Sequence, residues 1–432
     1  GHSHQQTSMA EMEATEQIDE NTNVLMFPQI VKKVFQFLSA KHICNAARVC
    51  KLWRDEAGIV LRQRRQYSWQ LFDEKNCVGA TESDPSNIWT KIQEFLKDLS
   101  FRPTAVLLFL TGDLWDETEC MHKRGKRAGK RAKKEKDLNL YGNLPPDCRV
   151  LWSITSGIVG TTSDLSRTEE KEEGESAAVL CFGHHPGIQI IPCKSQYRPE
   201  NYFDHTFRTF NSPTDRPELI DVKALLLMPH GYHSSLHDLS DIDLCEKFRR
   251  PLLVGGIPNN CFIHGPMLDE SAKFLHPEQK AEVYLERGDS DSGSCSSPQY
   301  SLCGLAQRKT KSNYPGQVLV YGKQVQVACV RLSQDVETES LAEETVLKLK
   351  EKCKEFPVEN SVAFMFACVA RGEEHYGKEN VESAAFRKHF PTTPLVGFFG
   401  NGEIGCDFPI EVGEPHRLNH GYTTFITLIC FP

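Results

Sequence analysis

The chain has 432 residues, a length typical of roughly two to four domains. Its 50 lysines and arginines stand against 58 aspartates and glutamates, and the net charge of -8 argues against a chain that binds nucleic acid over its whole surface. The longest apolar run, residues 362–370, is about half as long as a membrane-spanning helix needs to be.

The first 23 residues are polar and acidic, and the 16 cysteines are spread along the chain without any C-x-x-C pair. Because no basic-then-apolar export pattern precedes them, we expect an intracellular protein whose thiols stay free. The missing C-x-x-C spacing argues against a zinc ribbon and against a thioredoxin-type site.

Four segments combine few large apolar residues with dense charge, glycine or serine. They are residues 1–23, 116–137, 163–176 and 286–301. Such segments cannot repay the conformational entropy that ordering costs, so we expect all four to be disordered.

Residues 24–69 show helical periodicity in three short stretches. The first has apolar residues at i, i+3, i+4 and i+7, behind a proline suited to a first helical turn: Val31, Val34, Phe35 and Leu38. The next two stretches carry the stripes Ile43, Ala46, Ala47 and Cys50, then Trp53, Ala57, Val60 and Leu61. Three apolar residues fall outside the stripes, and we expect them to be exposed unless a partner covers them: Phe37, Val49 and Leu52.

After residue 101, short apolar or β-branched runs alternate with helical ones. Strands are predicted at 105–110, 150–155, 177–181, 224–228, 252–254, 318–321, 325–331, 361–369, 395–399 and 422–430, and helices at 341–353 and 379–389. Strands interleaved with helices favour a layered α/β body, with α+β as the alternative.

About 35 residues of the helical stretch follow a hydrophobic pattern that closes in V-C-x-x-W-R. Its members are Phe27, Pro28, Val31, Val34, Phe35, Phe37, Leu38, Ile43, Ala46, Val49, Cys50, Trp53 and Arg54. The pattern resembles the F-box family, although Ile30 and Ser39 stand where that family usually has an acidic residue and a proline. The resemblance implies an adaptor-binding surface made of Phe27, Pro28, Val31, Val34, Phe35, Leu38, Ile43, Val49, Leu52 and Trp53. The alternative is an ordinary three-helix subdomain that packs on its own chain.

The last 70 residues hold a second pattern, formed by residues 361–372, residues 394–405 and a closing strand that begins at Tyr422. It resembles the C-terminal half of a FIST sensory domain, and the run G-F-F-x-x-G-E-I-G is its most specific piece. Together the two resemblances predict a three-helix F-box module over 24–70 and a larger α/β FIST body. The N-terminal part of that body would span 71–220 and its C-terminal domain 221–432.

Two strand exits in the C-terminal body, at Cys368 and Phe399, are each followed by a loop that contains glycine. If the helix at 379–389 connects parallel strands, both loops emerge at one sheet edge, where α/β proteins favour ligands. We predict a substrate- or ligand-binding site there, with the members Cys368, Arg371, Phe398, Phe399, Gly400, Gly402, Glu403, Gly405 and Asp407. The alternative is a structural turn in which Glu403 accepts hydrogen bonds from neighbouring N–H groups.

The thiol of Cys368 has two interpretations. Beside the Arg371 guanidinium its pKa would fall, and the thiol would react with electrophiles. Buried in an apolar strand, it would instead be an inert small hydrophobe.

Other motifs predict no cofactor and no metal. Gly400, Gly402 and Gly405 spell G-x-G-x-x-G, but no helical period follows that could place a pyrophosphate at a helix N-terminus. The histidines of H-G-Y-H-S-S-L-H, which begins at residue 230, are predicted to lie in a loop rather than on one helix face. No P-loop, G-x-S-x-G or H-E-x-x-H motif indicates catalysis.

A basic run at 123–136 contains nine cations: Lys123, Arg124, Lys126, Arg127, Lys130, Arg131, Lys133, Lys134 and Lys136. No aromatic residue is interleaved for base stacking, so nucleic-acid binding is not favoured. We predict a nuclear import signal and therefore a cytoplasmic and nuclear protein, with a solvated loop as the alternative.

The F-box resemblance implies a non-catalytic substrate receptor of a Skp–cullin–F-box ubiquitin ligase. Its partners would be the Skp adaptor, the cullin scaffold and protein substrates, including nuclear regulators, that are ubiquitinated and degraded by the proteasome. No membrane partner is predicted. The alternative is a ligand sensor whose FIST body binds an amino-acid-like molecule, and a thiol-dependent enzyme using Cys368 is the third reading.

Overall fold

A computed structural model describes residues 27–77, 85–118, 141–183, 187–192, 222–229, 251–264, 316–409 and 418–432. The chain divides into two compact units, Gly1–Arg64 and Arg65–Pro432. The predictions for residues 1–23, for residues 119–137 with the basic run 123–136, for the histidine motif at 230–237 and for residues 286–301 lie outside the described residues. Residues 116–118, which were also predicted to be disordered, are helical.

The first unit contains three helices, α1 Pro28–Phe35, α2 Ala40–Ala46 and α3 Lys51–Gln63, so all three predicted helices are confirmed. Pro28 occupies the first turn of α1, and the Ser39 side chain caps α2 by accepting from the amide of His42. The predicted stripes form one small core of Val31, Phe35, Ile43, Ala57 and Val60. The helical prediction to residue 69 is wrong at its end, because the chain turns extended at Arg64 and a strand begins at Tyr67.

The described strands of the second unit form three sheets. In order of hydrogen-bonded neighbours, they are β1-β6-β2-β3-β10, β16-β15-β9-β8-β11-β7 and β12-β17-β13-β14-β4-β5. The bounds are β1 Tyr67–Phe72, β2 Ala105–Thr111, β3 Arg149–Thr155, β4 Gly157–Thr161, β5 Thr168–Lys171, β6 Ala177–Phe182, β7 Ile188–Pro192, β8 Val222–Met228, β9 Leu252–Gly256, β10 Asn260–His264, β11 Gly316–Tyr321, β12 Gln326–Leu332, β13 Ser361–Cys368, β14 Leu395–Gly400, β15 Glu403–Ile404, β16 Asn419–His420 and β17 Thr424–Cys430.

The helices of the second unit are α4 Pro85–Lys97, α5 Glu339–Lys352, the four-residue α6 Glu373–Tyr376 and α7 Val381–His389. Residues 112–118 are also helical. The α/β prediction is therefore confirmed. The elements that were not predicted are α4, α6, the helical residues 112–118 and the strands β1, β4, β5, β7, β10, β15 and β16. No described helix is long and apolar enough to cross a membrane.

One apolar core takes side chains from all three sheets, including Leu107 of β2, Leu226 of β8 and Phe366 of β13. Two further cores lie on outer faces: α4 covers the first sheet, and α5 with α7 covers the third. Strands such as β2, β6, β13 and β17 are therefore buried on both faces. This explains why they are continuous apolar runs rather than alternating ones.

The predicted β-α-β crossover is present. Strands β13 and β14 pair in parallel, with Ala363 opposite Leu395 and Cys368 opposite Gly400, and α6 and α7 lie between them in the sequence. The backbones approach so closely at Gly397 that a Cβ there would strike the carbonyl oxygen of Met365. The exits of both strands consequently lie at the same sheet edge.

The prediction of disorder at residues 163–176 is wrong, because strand β5 lies in this segment and pairs with β4. The charged side chains of β5 and its flanks form ion pairs. Asp73, which is completely buried, binds Arg167 and Lys171 at 3.0 and 3.3 Å, and Glu169 binds the same two cations. The high charge density of this segment predicted disorder because its ion-pair partner is not nearby in the sequence. That partner, Asp73, lies about 90 residues earlier in the chain.

Candidate functional site

The ten residues predicted to bind an adaptor divide by burial. Three form the core of the helical unit and are supports rather than contact residues: Val31, Phe35 and Ile43. Three are half-buried against that core: Leu38, Leu52 and Trp53. Four are exposed: Phe27, Pro28, Val34 and Val49. A direct contact with a partner is therefore open to the exposed four, and the prediction that the core three form the surface is corrected.

The structure adds two exposed apolar side chains, Ile30 and Phe37, to this surface. We define the docking face as Phe27, Ile30, Val34, Phe37 and Val49. The first four follow each other at spacings of three, four and three residues, which places them along one side of α1 and its two ends. Phe37 is 82% exposed and Val49 66% exposed, values that are unusual for large apolar side chains.

The turn that presents Phe37 is held by Arg64. The Arg64 guanidinium donates to the carbonyl oxygens of Phe35 at 2.8 Å, Gln36 at 3.2 Å and Leu38 at 2.8 Å. These carbonyls lie at and just beyond the end of α1, and the Phe35 carbonyl also accepts from the amide of Leu38 at 3.1 Å. Below them, Trp53 packs edge-on against the Phe35 ring at 5.6 Å. A rigid support thus lies directly under the exposed apolar row.

Sequence reasoning noticed that Phe37 would be exposed but did not assign it to the adaptor surface, and it missed Ile30. The signal was present in the sequence: Ile30 lies three residues after Phe27 and four before Val34. A second apolar stripe, offset from the buried one, marks a short helix with two apolar faces.

At the sheet edge of the body, Arg371 has a structural role that the sequence prediction did not anticipate. It is completely buried, and its guanidinium donates to Glu382 Oε1 at 2.5 and 3.1 Å. Its remaining N–H groups reach the carbonyls of Ser333 and Val336 and the Tyr376 hydroxyl. The predicted contact between Arg371 and a ligand is therefore corrected, because its donors are used within the fold.

Glu403 and Cys368, by contrast, lie together as predicted. Glu403 is 1% exposed, and its Oε2 accepts from the Thr423 hydroxyl at 2.9 Å and from the Thr423 amide at 3.3 Å. Its Oε1 has no hydrogen-bond partner among the described residues. Burial raises the pKa of Glu403 to about 7, against the opposing effects of Thr423, Cys368 and the more distant Arg371 charge.

Of the two interpretations of Cys368, the one in which Arg371 lowers the pKa of the thiol is contradicted. Burial and then the Glu403 carboxylate raise the pKa of this thiol, while the amides of Ala370 and Tyr422 oppose the rise. Arg371 is bound to Glu382 instead of to the thiol. Of the two interpretations, the geometry favours the buried thiol.

The remaining predicted site residues are parts of the scaffold. Phe398 and Phe399 are buried, and Asp407 accepts from the amide of Arg331 at 3.1 Å. The glycines permit close packing: Gly402 has a φ of +125°, and a Cβ at Gly405 would strike the Phe425 ring. A Cβ at Gly400 would meet the carbonyl of Ile257. The glycine run is thus a tight strand exit and not a phosphate loop.

Two exposed apolar residues frame this edge. Val369 follows Cys368, and Tyr422, which adopts a φ of +61°, precedes the strand that Cys368 borders. Among the described residues, no group of three or more His, Cys, Asp or Glu side chains could hold a metal ion. All the described cysteines are free.

Comparison with known protein families finds one match in each of the two compact units. A family model described as F-box-like matches residues 28–62, and one described as FIST C domain matches residues 315–406. The helical unit is therefore an F-box-like module, and the body carries a FIST C domain.

Over 421 residues, 93% of this chain and 92% of theirs, the chain is 32% identical to F-box only protein 22 of Pongo abelii and of Homo sapiens. The chain belongs to the F-box only protein 22 family. An F-box/LRR-repeat protein of Arabidopsis thaliana is 32% identical over 89 residues, which cover 19% of this chain and 16% of that protein.

Among solved structures, a cyanuric acid hydrolase from A. caulinodans is similar at a TM-score of 0.31 and 10% identity, covering 84% of this chain and 99% of the hydrolase. That similarity is too weak to assign a function. F-box proteins in general are non-catalytic subunits that bind a Skp adaptor and a cullin scaffold. Because this chain belongs to an F-box family, it shares that general role.

Proposed function

We propose that this protein is the substrate-recognition subunit of a Skp–cullin–F-box ubiquitin ligase. In this role the docking face binds the Skp adaptor, and the FIST body holds the protein to be ubiquitinated. The observation that carries the proposal is the docking face itself: five exposed apolar side chains lie on a helical unit whose own core is already complete.

The free energy for docking comes from removing this apolar surface from water. Removing apolar area from water contributes about 25 cal/mol per Å² before the entropic cost of association is subtracted, and a few well-packed side chains supply most of the affinity. An exposed apolar row is a cost to a monomer in water, so a partner that covers it is the simplest reason to keep it.

The receptor itself needs no bond chemistry. Binding a substrate near the ubiquitin-charged enzyme of the ligase raises the effective concentration of its lysines, and tethering of this kind can increase a reaction by orders of magnitude. The substrates are degraded by the proteasome after ubiquitination.

The test is co-purification of the Skp adaptor and cullin with a tagged full-length chain. The double variant Val34→Asp, Phe37→Asp places two charges on the docking face and leaves the buried core unchanged, so we expect adaptor recovery to fall about tenfold or more. Gln36→Asp is the control, because it adds one charge of the same sign at an exposed polar position between them and should bind normally. Full recovery with the double variant would contradict the proposal.

For the substrate side, we propose that proteins bind at the sheet edge framed by Val369 and Tyr422. Both are exposed and lie beside the exits of β13 and β14, where α/β proteins favour ligands. Tyr422→Asp should then slow substrate turnover in cells while adaptor recovery stays normal. Normal turnover in that variant would place the substrate elsewhere on the body. Arg371 is unsuitable for this test, because its replacement would leave Glu382 unpaired in the interior.

A second candidate function is a ligand sensor, and one observation favours it: Glu403 Oε1 is buried and has no hydrogen-bond donor in the part of the chain that the structure describes. An amino-acid-like molecule with an ammonium group would supply that donor. A thermal-shift series with free amino acids tests this, with Glu403→Gln as the variant that should lose the shift. No shift with any amino acid would remove this candidate.

We also propose that the protein is cytoplasmic and nuclear, and that the basic run 123–136 drives nuclear entry. Replacing its nine cations by glutamine should move the protein toward the cytoplasm. An unchanged distribution under fluorescence microscopy would make the run a solvated loop.

A further inference from the structure

A row of exposed side chains crosses the ends of four neighbouring strands at the sheet edge of the body. In the third sheet these strands follow each other as β17, β13, β14 and β4. Val369 directly follows β13, Asn401 directly follows β14, and Ser156 directly precedes β4, while Tyr422 lies two residues before β17. All four side chains are exposed. We define the edge row as Tyr422, Val369, Asn401 and Ser156.

Backbone hydrogen bonds keep the members of the edge row side by side. The amide of Val369 donates to the carbonyl of Gly400 at 3.0 Å, and the amide of Ser156 donates to the carbonyl of Phe399 at 3.3 Å. Neighbouring strands lie about 4.8 Å apart, so a row across four strands spans about 14 Å. An extended chain rises about 3.3 Å per residue, so about four or five residues of a partner would cover the row.

The polar end of the edge row is already held in place by its own hydrogen bonds. Asn259 Oδ1 accepts from Asn401 Nδ2 at 2.9 Å and from Ser156 Oγ at 3.3 Å, and Asn259 is itself exposed. The amide of Asn401 donates to the carbonyl of Ile257 at 2.8 Å. Side-chain amides carry both donors and acceptors, which match the groups that a peptide main chain presents. Because these side chains are fixed beforehand, they lose little conformational entropy when a partner binds.

The apolar end of the edge row carries an aromatic residue in a strained conformation. Tyr422 is 57% exposed and has a φ of +61°, in the left-handed region that costs free energy for a residue with a side chain. Glu403 holds the chain on both sides of it. The backbone of Glu403 pairs with His420, and its Oε2 accepts from the Thr423 amide at 3.3 Å and the Thr423 hydroxyl at 2.9 Å. The conformation is therefore imposed by the surrounding hydrogen bonds, and it leaves an aromatic ring exposed.

Given the substrate site proposed above at this edge, we propose that the edge row binds an extended peptide segment of the substrate. An apolar side chain of that segment lies at the Tyr422 end, and its main chain is bound at the Asn401 end. Extended peptides are typically recognised by exposed aromatic rings, which supply affinity, and by fixed polar groups, which set the register. Glu403 is a positioning residue for Tyr422, and recognition of the substrate is the reason that the strain at Tyr422 is kept.

The test is selection of random heptapeptides, displayed on phage, on the immobilised full-length chain. Fluorescence polarisation then measures how tightly the selected peptides bind the native chain and its variants. Tyr422→Asn and Asn401→Ala should each weaken binding about tenfold, whereas Tyr422→Phe keeps the ring and should bind normally. Leu347→Asn is the control, because it removes an apolar side chain that is 45% exposed on α5. A selection that yields no peptide dependent on both Tyr422 and Asn401 would overturn the proposal.

A matched pair of variants measures the strain at Tyr422 separately. Tyr422→Asn and Tyr422→Val both remove the ring, but asparagine adopts a positive φ readily and β-branched valine does not. The thermal unfolding midpoint should therefore be higher for Tyr422→Asn than for Tyr422→Val, although neither variant binds the selected peptides well. Equal midpoints would show that the conformation is not strained and would overturn the role given to Glu403.

Recovery of the Skp adaptor separates this proposal from the ligase role. Co-purification of the adaptor should be unchanged in Tyr422→Asn, because this residue is not part of the docking face. A native chain that recovers no adaptor would contradict the ligase role. A native chain that recovers the adaptor but selects no peptide at the edge row would overturn only the peptide-binding surface.

Discussion

Glu170 Oε1 accepts a hydrogen bond from the amide of Ser383 at 2.7 Å, although the two residues lie 213 positions apart. Two positions along the same segment, Glu172 Oε1 accepts from the amide of Glu373 at 2.7 Å. Neither α6 nor α7 has a side-chain cap of its own. One short glutamate-rich segment thus caps two successive helices, which explains why it is ordered despite its charge.

The cap on α6 predicts a specific loss of stability. Glu172→Ala removes the acceptor for the Glu373 amide and should lower the free energy of unfolding by about 0.5–2 kcal/mol, the usual range for a lost N-terminal cap. Denaturant unfolding of the full chain measures this. Glu173→Ala, the exposed neighbour, should leave the midpoint unchanged. Equal effects of the two substitutions would show that the cap contributes nothing.

Arg64 should stabilise the helical unit through the three carbonyls at the end of α1. Arg64→Met removes these charge-assisted hydrogen bonds and should cost roughly 1.5–3 kcal/mol, which hydrogen exchange of the amides of α1 detects. Arg62→Met is the control, because Arg62 is exposed in the last turn of α3, two residues before Arg64. We also expect weaker adaptor recovery with Arg64→Met, since the turn that presents Phe37 would lose its support.

Glu403 should make stability depend on pH. Its pKa is raised from 4.5 to about 7 in the folded state, chiefly by burial, so the folded protein binds a proton that the unfolded chain releases. Stability contributed by the protonated form is complete below the unfolded pKa and is lost as the pH rises through about 7. The total loss is at most roughly 3 kcal/mol.

Glu403→Gln should abolish this part of the pH dependence, because glutamine is neutral and keeps an acceptor for Thr423. Denaturant midpoints measured at a mildly acidic and a mildly alkaline pH give the comparison. Parallel pH profiles for the native chain and the variant would contradict the assignment. Glu343→Gln, at a carboxylate whose pKa is lowered by Lys388 and His389, should instead leave the profile above neutrality unchanged.

Gly397 should tolerate no side chain. Gly397→Ala would drive a Cβ into the backbone of Met365 in the parallel pair β13–β14, so we expect a large loss of folded protein on expression. Gly421→Ala is the control, since a Cβ there meets nothing within 4 Å. Soluble yield and thermal unfolding of both variants distinguish a packing effect from a general intolerance of alanine.

Periodicity predicted the parts of the fold that depend on neighbours along the chain. The stripe that begins at Val31, the helix α5 and the apolar runs β2 and β13 each carry their signal within a dozen residues. Short strands such as β5 and β15 lack that signal, since their pairing partners and not their own residues make them strands.

For the docking face, local pattern was nearly sufficient, because exposure on a short helix follows from its spacing. At the sheet edge of the body, local pattern was not sufficient. The sequence placed Arg371 beside a ligand, whereas Glu382, a residue of the crossover, binds it. Proximity of Cys368 and Glu403 was foreseen from the parallel pairing, but the direction of the Cys368 pKa depends on burial, which no spacing reveals.

By itself, the sequence determined the helical unit and the layered body, because each follows from the period with which apolar residues recur. Only the tertiary structure decided which charges meet. Glu170, Glu382 and Arg371 come from separate elements, and burial there raises the pKa of Glu170 to about 7. Solvent exclusion is a property of the assembled fold, so the raised pKa of Glu170 could not be predicted from the chain alone.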